Sequence, residues 1–224
     1  MGYAMVNQTT GGIHFRLYSR AVIIEDYKGN RVCFVSCDIG MMSQIVKLGV
    51  ISAVAQKYNG TYNINNVMLS STHTHSGPGG YLQYMLYILT SLGFVQQSYD
   101  VIVNGILSSI DRAHNSMTVG NIYMNSGQLL NASINRSPSA YLNNPESERS
   151  KYIYNTDKNM TLLKFQASNG TDLGAIIWFA VHGTSMNNTN KLISGDNKGV
   201  ASMLFEQSIN GGTIPGQVIE TYNL

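Results

Sequence analysis

The feature that most constrains the fold is a strand, helix and strand run in the first third of the chain. Residues 31–37, RVCFVSC, form a continuous apolar stretch with β-branched and aromatic side chains, which is typical of a buried strand. Residues 41–58 are apolar nearly all round and predict a well-covered helix. Residues 66–71, NVMLSS, predict the next strand. Together these segments predict a βαβ unit.

The flanking segments extend this unit into an α/β fold, with a mixed, largely buried sheet, βαβ units and flanking helices. The alternating residues 12–26 predict a strand, and YKGN at 27–30 predicts a hairpin turn. Residues 97–117 carry apolar side chains at helical spacing. The remaining predicted elements are strands near 120–126 and 160–167, a long buried strand over 173–181, and a helix capped by Ser194 or Asp196.

Length, composition and charge exclude several classes of protein. The 224 residues suit one large domain or two small ones. The net charge is +2 and no basic run is present, so the sequence gives no indication of a nucleic-acid partner. No signal peptide is visible, and no apolar run is long enough to span a bilayer.

The two cysteines, Cys33 and Cys37, lie four residues apart on one predicted strand. Their separation along a strand exceeds the roughly 7 Å that a disulfide allows. We therefore expect two buried thiols in the core.

The density of glycosylation sequons predicts a secretory protein, either secreted or on the extracellular face of the plasma membrane. These N-x-S/T sequons begin at Asn7, Asn59, Asn131, Asn135, Asn159, Asn169 and Asn187.

Polar side chains follow three of the predicted strands. Asp38 comes directly after the strand 31–37, His73 and His75 follow the strand 66–70, and His182 follows the strand 173–181. In open α/β sheets, ligands bind outside the carboxyl ends of the strands. The sequence therefore favours one site that gathers these four side chains, although Asp38 has a second interpretation as the cap of the following helix.

The spacing of His73 and His75 has a meaning of its own. On an extended segment both side chains face the same side, so one can bind a metal while the other carries a proton. Neutral imidazole is a good ligand for zinc. The pattern alone is weak, and its match with His182 strengthens it. By contrast, His14 is expected to be structural, and His114 to lie at the surface or in the last turn of its helix.

Arg136 is a further candidate in a polar, turn-rich segment. An arginine there binds a carboxylate or stabilises an oxyanion, and a solvated loop arginine is the alternative.

Several long blocks resemble the neutral ceramidase family, in the same order and through nearly the whole chain. They read MGYAMVNQTTGGIHFRLYSRA, FVSCDIGMMSQ, SSTHTHSGPGGY, INRSPSAYLNNPESER, NTDKNMTLLKF and WFAVHGTSMNNTNKLISGDNKGVAS. The resemblance implies a zinc amidohydrolase that cleaves the N-acyl bond of ceramide to sphingosine and a fatty acid. It implies that His73 and His182 bind Zn²⁺, that His75 lies beside the metal as a catalytic residue, and that Arg136 lines the same pocket.

The sequence departs from the family in two respects. Gly183 stands where the family usually has proline, which predicts a looser backbone beside the ligand. The family's other ligands, a glutamate and a tyrosine, and its G-D-V-S-P-N motif come later than this chain reaches. Residues 1–224 are thus expected to form part of a catalytic domain, truncated at both ends and without the family's carboxyl-terminal immunoglobulin-like domain. We expect this fragment alone to be inactive.

The implied substrate is an apolar lipid at a membrane surface. Residues 81–94, YLQYMLYILTSLGF, either form one wall of its pocket or pack in the core. Two other functions stay open: a non-catalytic lipid-binding or degraded family member, and another metallohydrolase such as a phosphoesterase. A phosphoesterase needs more carboxylate ligands than Asp38 supplies.

Overall fold

The computed structural model describes residues 1–211, which fold into two compact units. The first unit contains residues 1–117 and the described chain from His182 onward, and the second is Thr118–Val181. The first unit holds β1 (Gly12–Ile13), β2 (Ser19–Glu25), β3 (Arg31–Cys37), α1 (Gln44–Lys57), β4 (Val67–Ser71), α2 (Met85–Ile88), α3 (Gln96–Asn115), β8 (Leu192–Ile193) and α6 (Asp196–Ile209). The second holds β5 (Gly120–Gln128), α4 (Pro138–Leu142), α5 (Glu146–Arg149), β6 (Asn159–Ala167) and β7 (Asp172–Phe179).

The predicted βαβ unit is present as β3, α1 and β4. The two strands pair in parallel, with Cys33 opposite Val67 and Cys37 opposite Ser71. β2 pairs antiparallel with β3 through the predicted hairpin, where the Asp26 carboxylate accepts backbone hydrogen bonds from Lys28 and Asn30. The mixed three-stranded sheet therefore has the order β2–β3–β4.

Helix α1 buries one face, so the prediction of a well-covered helix was wrong. Val46, Val50 and Val54 are fully buried at four-residue spacing, whereas Leu48 is 50% exposed. A helix that is apolar all round buries only the face that a neighbouring layer covers. Ser43 begins the helix and its hydroxyl accepts the hydrogen bond of the Val46 N–H.

Helix α3 completes the core by packing on β2 and α1. Its buried apolar residues, Val103, Ile106 and Ile110, lie on the face that the sequence pattern predicted. Cys33 and Cys37 are buried in the same cluster as free thiols, as expected. Burial raises the pKa of the Cys33 thiol to about 12 and the pKa of the Cys37 thiol to about 11.

The single strand predicted over 12–26 is two strands. Residues 12–13 pair in parallel with β8, and residues 19–25 pair with β3. The chain changes pairing partner between them, so one alternating pattern spans two sheets.

The second unit is an antiparallel sheet in the order β5–β6–β7. Both strands predicted near 120–126 and 160–167 are present. The strand predicted as long and buried, β7, is half exposed, with Ile177 and Trp178 at 41% and 43% exposure. This unit is a three-stranded sheet with two short helices, which do not supply a layer for both faces. Its topology is a meander, so the first unit contains the one βαβ unit among the described elements.

Among residues 1–211, no helix combines the length and apolar character needed to cross a bilayer.

Candidate metal centre

Three histidines from two distant segments converge in the first unit. The Nε2 atom of His75 lies 3.1 Å from Nε2 of His73 and 3.0 Å from Nε2 of His182. All three ligand atoms lie within 4.8 Å of one another. The rings of His73 and His182 are stacked, with an interplanar angle of 12°, and His75 meets both edge-on. The structure therefore brings together all three histidines that the strand-end argument singled out.

The backbone and tautomer of His73 are both fixed. The residue follows the end of β4 by two positions and has a φ of 61°, a conformation uncommon outside glycine. Its Nδ1–H donates to the carbonyl oxygen of Gly40 at 2.5 Å. Because a carbonyl only accepts, Nδ1 carries the proton and Nε2 presents its lone pair to the cluster. This is the tautomer that a metal-ligating histidine needs.

The amino-terminal segment lies against His75. The carbonyl oxygen of His75 accepts the N–H of Gly2 at 2.9 Å. The ring of Tyr3 meets the His75 imidazole edge-on, with ring centroids 4.7 Å apart. The Tyr3 hydroxyl in turn donates to the carbonyl oxygen of Met186 at 2.5 Å. Tyr3 therefore joins the segment of His75 to the loop that follows His182.

Gly183 is tightly held, so the prediction of a loosened backbone beside His182 was wrong. Its carbonyl oxygen accepts the N–H of His75 at 3.1 Å, and it forms a parallel bridge with Thr74. A Cβ at Gly183 would lie 2.4 Å from the carbonyl oxygen of His73. The glycine permits a close approach of two backbones at the site.

The start of α6 contacts the loop after His182. The helix begins at Asp196, and its N-cap residue is Gly195, so neither predicted cap is correct. The buried Asp196 carboxylate accepts the N–H groups of Ser185 and Met186, both at 3.0 Å. Asn197 Nδ2 donates to the carbonyl oxygen of His182 at 2.7 Å.

Asp38 is neither a member of the cluster nor a helix cap. Its buried carboxylate accepts the N–H of Tyr18 and forms an ion pair with Arg20, both at 3.0 Å. Burial acts to lower the pKa of the Arg20 guanidinium, but the charges and hydrogen bonds of Asp38 and Glu206 outweigh it and raise the pKa. Asp38 thus joins the end of β3 to β2.

The other two histidines lie outside the cluster. His14 follows β1, and its Nδ1 lies 3.2 Å from the hydroxyl of Ser194. His114 lies in the last turn of α3, one of its two predicted positions, with Nδ1 2.8 Å from the Tyr62 hydroxyl.

Arg136 belongs to the second unit. Its side chain is exposed, two residues before α4. Its catalytic role stays a prediction from the resemblance.

The donor set fits a zinc ion. Nε2 of His73 carries a lone pair and no proton. A single Nε2–H on His75 can donate to His73 or to His182 but not to both. A cation among the three nitrogens replaces the repulsion between lone pairs by attraction. His73 and His75 are half buried and His182 is exposed, so the cluster lies at the surface of this unit.

Sequence reasoning missed the residues that surround the histidines. Tyr3, Gly40 and Asn197 lie in the blocks that resemble the family, but the sequence assigns them no role, and it predicts Asp196 only as a cap. Their contacts join segments far apart in sequence, and local patterns contain no signal for such contacts.

The fold and the site together define a mixed α/β chain with a surface cluster of three imidazoles competent to hold a metal. The model of the family described as neutral/alkaline non-lysosomal ceramidase, N-terminal, matches residues 1–220. The chain belongs to this family.

Named relatives agree with this assignment. The chain is 56% identical over 217 residues to the neutral ceramidase of Oryza sativa subsp. japonica, covering 97% of this chain and 28% of that protein. It is 46% identical to the neutral ceramidase of Drosophila melanogaster, covering 97% of this chain and 31% of that protein. The crystal structure of neutral ceramidase from Pseudomonas aeruginosa matches with a TM-score of 0.89 at 46% identity, over 93% of this chain and 33% of that one. The chain thus spans about a third or less of each relative's length.

Proposed function

We propose that this chain supplies part of the active site of a zinc-dependent amidohydrolase that cleaves ceramide into sphingosine and a fatty acid. The observation that carries the proposal is the convergence of three imidazoles in a chain that belongs to the neutral ceramidase family. The names of its relatives support the substrate.

His73 and His182 are the proposed zinc ligands. The hydrogen bond from His73 Nδ1 to Gly40 leaves Nε2 available, and Asn197 holds the backbone of His182. Bound zinc supplies Lewis acidity, which activates water for attack on an amide at near-neutral pH.

His75 is the proposed proton carrier. Its Nε2 lies within about 3 Å of both proposed ligands, and the segment that carries it is fixed through Gly2 and Gly183. Amide cleavage releases an amine that must be protonated, and a positioned imidazole is suited to donate that proton. Its distance to both neighbours also makes it the candidate for a third ligand.

Arg136 is proposed, on the resemblance alone, to stabilise the negative charge that develops on the carbonyl oxygen. An arginine suits this role because its guanidinium stays charged and donates hydrogen bonds in a fixed geometry.

We expect the isolated chain to be inactive toward ceramide. A catalytic zinc site uses three protein ligands and one open position. If His75 serves as the proton carrier, His73 and His182 are the two ligands left in the cluster. Two imidazoles do not fix the geometry of the ion.

An exposed apolar segment supports a lipid substrate at a membrane surface. Tyr81 and Leu82 are buried, but Met85, Leu86 and Leu92 are 72%, 73% and 86% exposed. The segment that follows the histidines thus divides between core packing and an exposed apolar surface. Exposed apolar side chains of this density are typical of surfaces that meet a lipid or another protein.

The same exposed segment favours a second candidate function, lipid binding without hydrolysis. A phosphoesterase has less support, because the histidine cluster within residues 1–211 includes no carboxylate and Asp38 is paired with Arg20.

A secretory location is also proposed. Asn7, Asn59, Asn131, Asn159, Asn169 and Asn187 are exposed sequon asparagines, and Asn135 is half buried. A molecular mass that falls on treatment with a glycosidase, after expression in a secretory host, would support this location.

A chimaera tests the proposed activity. This chain replaces the matching third of the Pseudomonas aeruginosa neutral ceramidase, and fatty-acid release from labelled ceramide is measured. We expect hydrolysis by the chimaera, none by its His73→Ala and His182→Ala variants, and none from a phosphoester. Ceramide binding without hydrolysis by a folded chimaera would favour the second candidate.

A further inference from the structure

The start of α6 contacts both loops that carry the histidines. We call Ser194, Asp196 and Asn197 the α6 clamp. We infer that the clamp positions the imidazoles of the two loops relative to each other and so sets the affinity of the site for zinc. This inference rests on the zinc site proposed above.

The first contact reaches the loop of His73 and His75. Thr74 lies between these two histidines, is buried, and donates its hydroxyl to the carbonyl oxygen of Ser194 at 2.7 Å. The same hydroxyl accepts the N–H of Ser76 at 3.1 Å, and the Ser194 N–H donates back to the carbonyl oxygen of Ser76 at 2.9 Å. Two hydrogen bonds therefore fix this loop to the clamp, and a third, from Ser76 to Thr74, lies within the loop.

The second contact reaches the loop of His182. The Asp196 carboxylate accepts the N–H groups of Ser185 and Met186, one on each oxygen. Asn197 Nδ2 donates to the carbonyl oxygen of His182 and to the hydroxyl of Ser185, at 2.7 and 3.1 Å. The clamp thus holds this loop at His182 itself and at Ser185 and Met186.

The backbone of Asp196 adopts a conformation that its residue type does not favour, which indicates that tertiary contacts hold it there. Its φ is 55°, in the left-handed region that aspartate tolerates at a cost, and the residue is 2% exposed. In this conformation the carboxylate accepts the N–H groups of Ser185 and Met186 in the loop of His182 as well as the N–H of Asn197 in its own helix. Groups that orient metal ligands without touching the metal typically contribute 10- to 100-fold to metal affinity.

Two threonines on either side of His73 give a matched test. Thr74→Val removes the hydroxyl that joins the loop to Ser194. Thr72→Val is the same change beside the same histidine, but the Thr72 hydroxyl has no hydrogen-bond partner among the described residues. Thr74→Ser keeps the donor. Asp196→Asn tests the second loop, since an amide cannot accept both N–H groups.

The experiment measures the zinc dissociation constant of the 224-residue chain by competition with a chromophoric chelator, and the melting temperature in EDTA. We expect Thr74→Val and Asp196→Asn to weaken zinc binding on the order of 10–100-fold. Thr72→Val and Thr74→Ser should bind like the wild type.

The outcomes separate the clamp from the zinc site. If Thr74→Val and Asp196→Asn melt earlier in EDTA yet bind zinc as the wild type does, the clamp is merely structural and the inference is wrong. If the wild-type chain binds no zinc, the proposed site fails and the clamp has no ligand set to position.

Discussion

The Nε2 atoms of His75 and His182 lie 3.0 Å apart although 107 residues separate them in the chain. The backbone supports this approach directly, because the N–H of His75 donates to the carbonyl oxygen of Gly183, the neighbour of His182. The two histidines therefore belong to one site that both side chains and main chain hold together.

Substitution of each histidine should separate ligand from proton carrier. In the chimaera, His73→Ala should lose both zinc and activity, whereas His75→Ala should lose activity and keep most of the zinc. His114→Ala, which removes a histidine bonded to Tyr62 outside the cluster, serves as the control and should keep both. Metal analysis of the purified variants checks this. Equal zinc loss in the first two variants would make His75 a ligand.

Gly183→Ala should destabilise the chain and weaken zinc binding together. The new Cβ would lie 2.4 Å from the carbonyl oxygen of His73, so two backbones must separate, at a cost of about 1–3 kcal/mol. Gly105→Ala is the matched control, because this exposed helical glycine has no atom within 4 Å of an added Cβ. Its helix should gain roughly 0.5–1 kcal/mol. Chemical denaturation measures the stability of both variants, and zinc titration measures their affinity for the ion. A Gly183→Ala variant with unchanged stability and affinity would show that the close approach of Gly183 to His73 is not required.

Part of this site followed from the sequence and part did not. The apolar run at 31–37 predicted β3, because a strand buried on both faces has a composition of its own. The positions of His73 and His182 after predicted strands led us to expect their convergence, which the structure shows. The expected reason does not hold, because β4 and β7 belong to different sheets and have no common edge.

Long-range polar partners were beyond such patterns. The sequence predicts Asp38 as a member of the site, but the structure pairs it with Arg20. It predicts Asp196 as a helix cap, but the carboxylate accepts the N–H groups of residues 185 and 186. Each carboxylate has several chemically equivalent partners along the chain, and tertiary packing decides among them. Exposure of β7 was also unpredictable, since its composition is that of a strand with both faces covered.

The two cysteines should resist alkylation in the folded chain. Burial raises the pKa of the Cys33 thiol to about 12 and of the Cys37 thiol to about 11, so the reactive thiolate is scarce at neutral pH. Labelling with iodoacetamide at about pH 8 should reach neither thiol until denaturant is added. Rapid labelling of the native chain would contradict the packing of β3 in the core.

Asp111 should stabilise the fold at neutral pH and cease to do so in acid. Burial acts to raise the pKa of its carboxyl, but hydrogen bonds from Lys57 and Tyr58 and the charge of Lys57 outweigh it and lower the pKa. A lowered folded-state pKa stabilises above the ordinary value of 3.8, and this stabilisation is lost as the pH falls through the lower value.

The variant Asp111→Asn tests this linkage. It should cost about 1 kcal/mol near neutral pH, since the ion pair is partly exposed. The difference in free energy of unfolding between variant and wild type should shrink as the pH falls below the ordinary carboxyl pKa. A difference that stays constant into strong acid would show that the carboxyl pKa is not lowered by folding.

The central claim is that His73 and His182 bind zinc through Nε2. Anomalous diffraction from zinc-soaked crystals, collected on both sides of the zinc absorption edge, locates the ion directly. We predict one strong peak about 2.0–2.1 Å from Nε2 of each of these two histidines. A zinc peak elsewhere on the chain, with none at the three imidazoles, would contradict the claim.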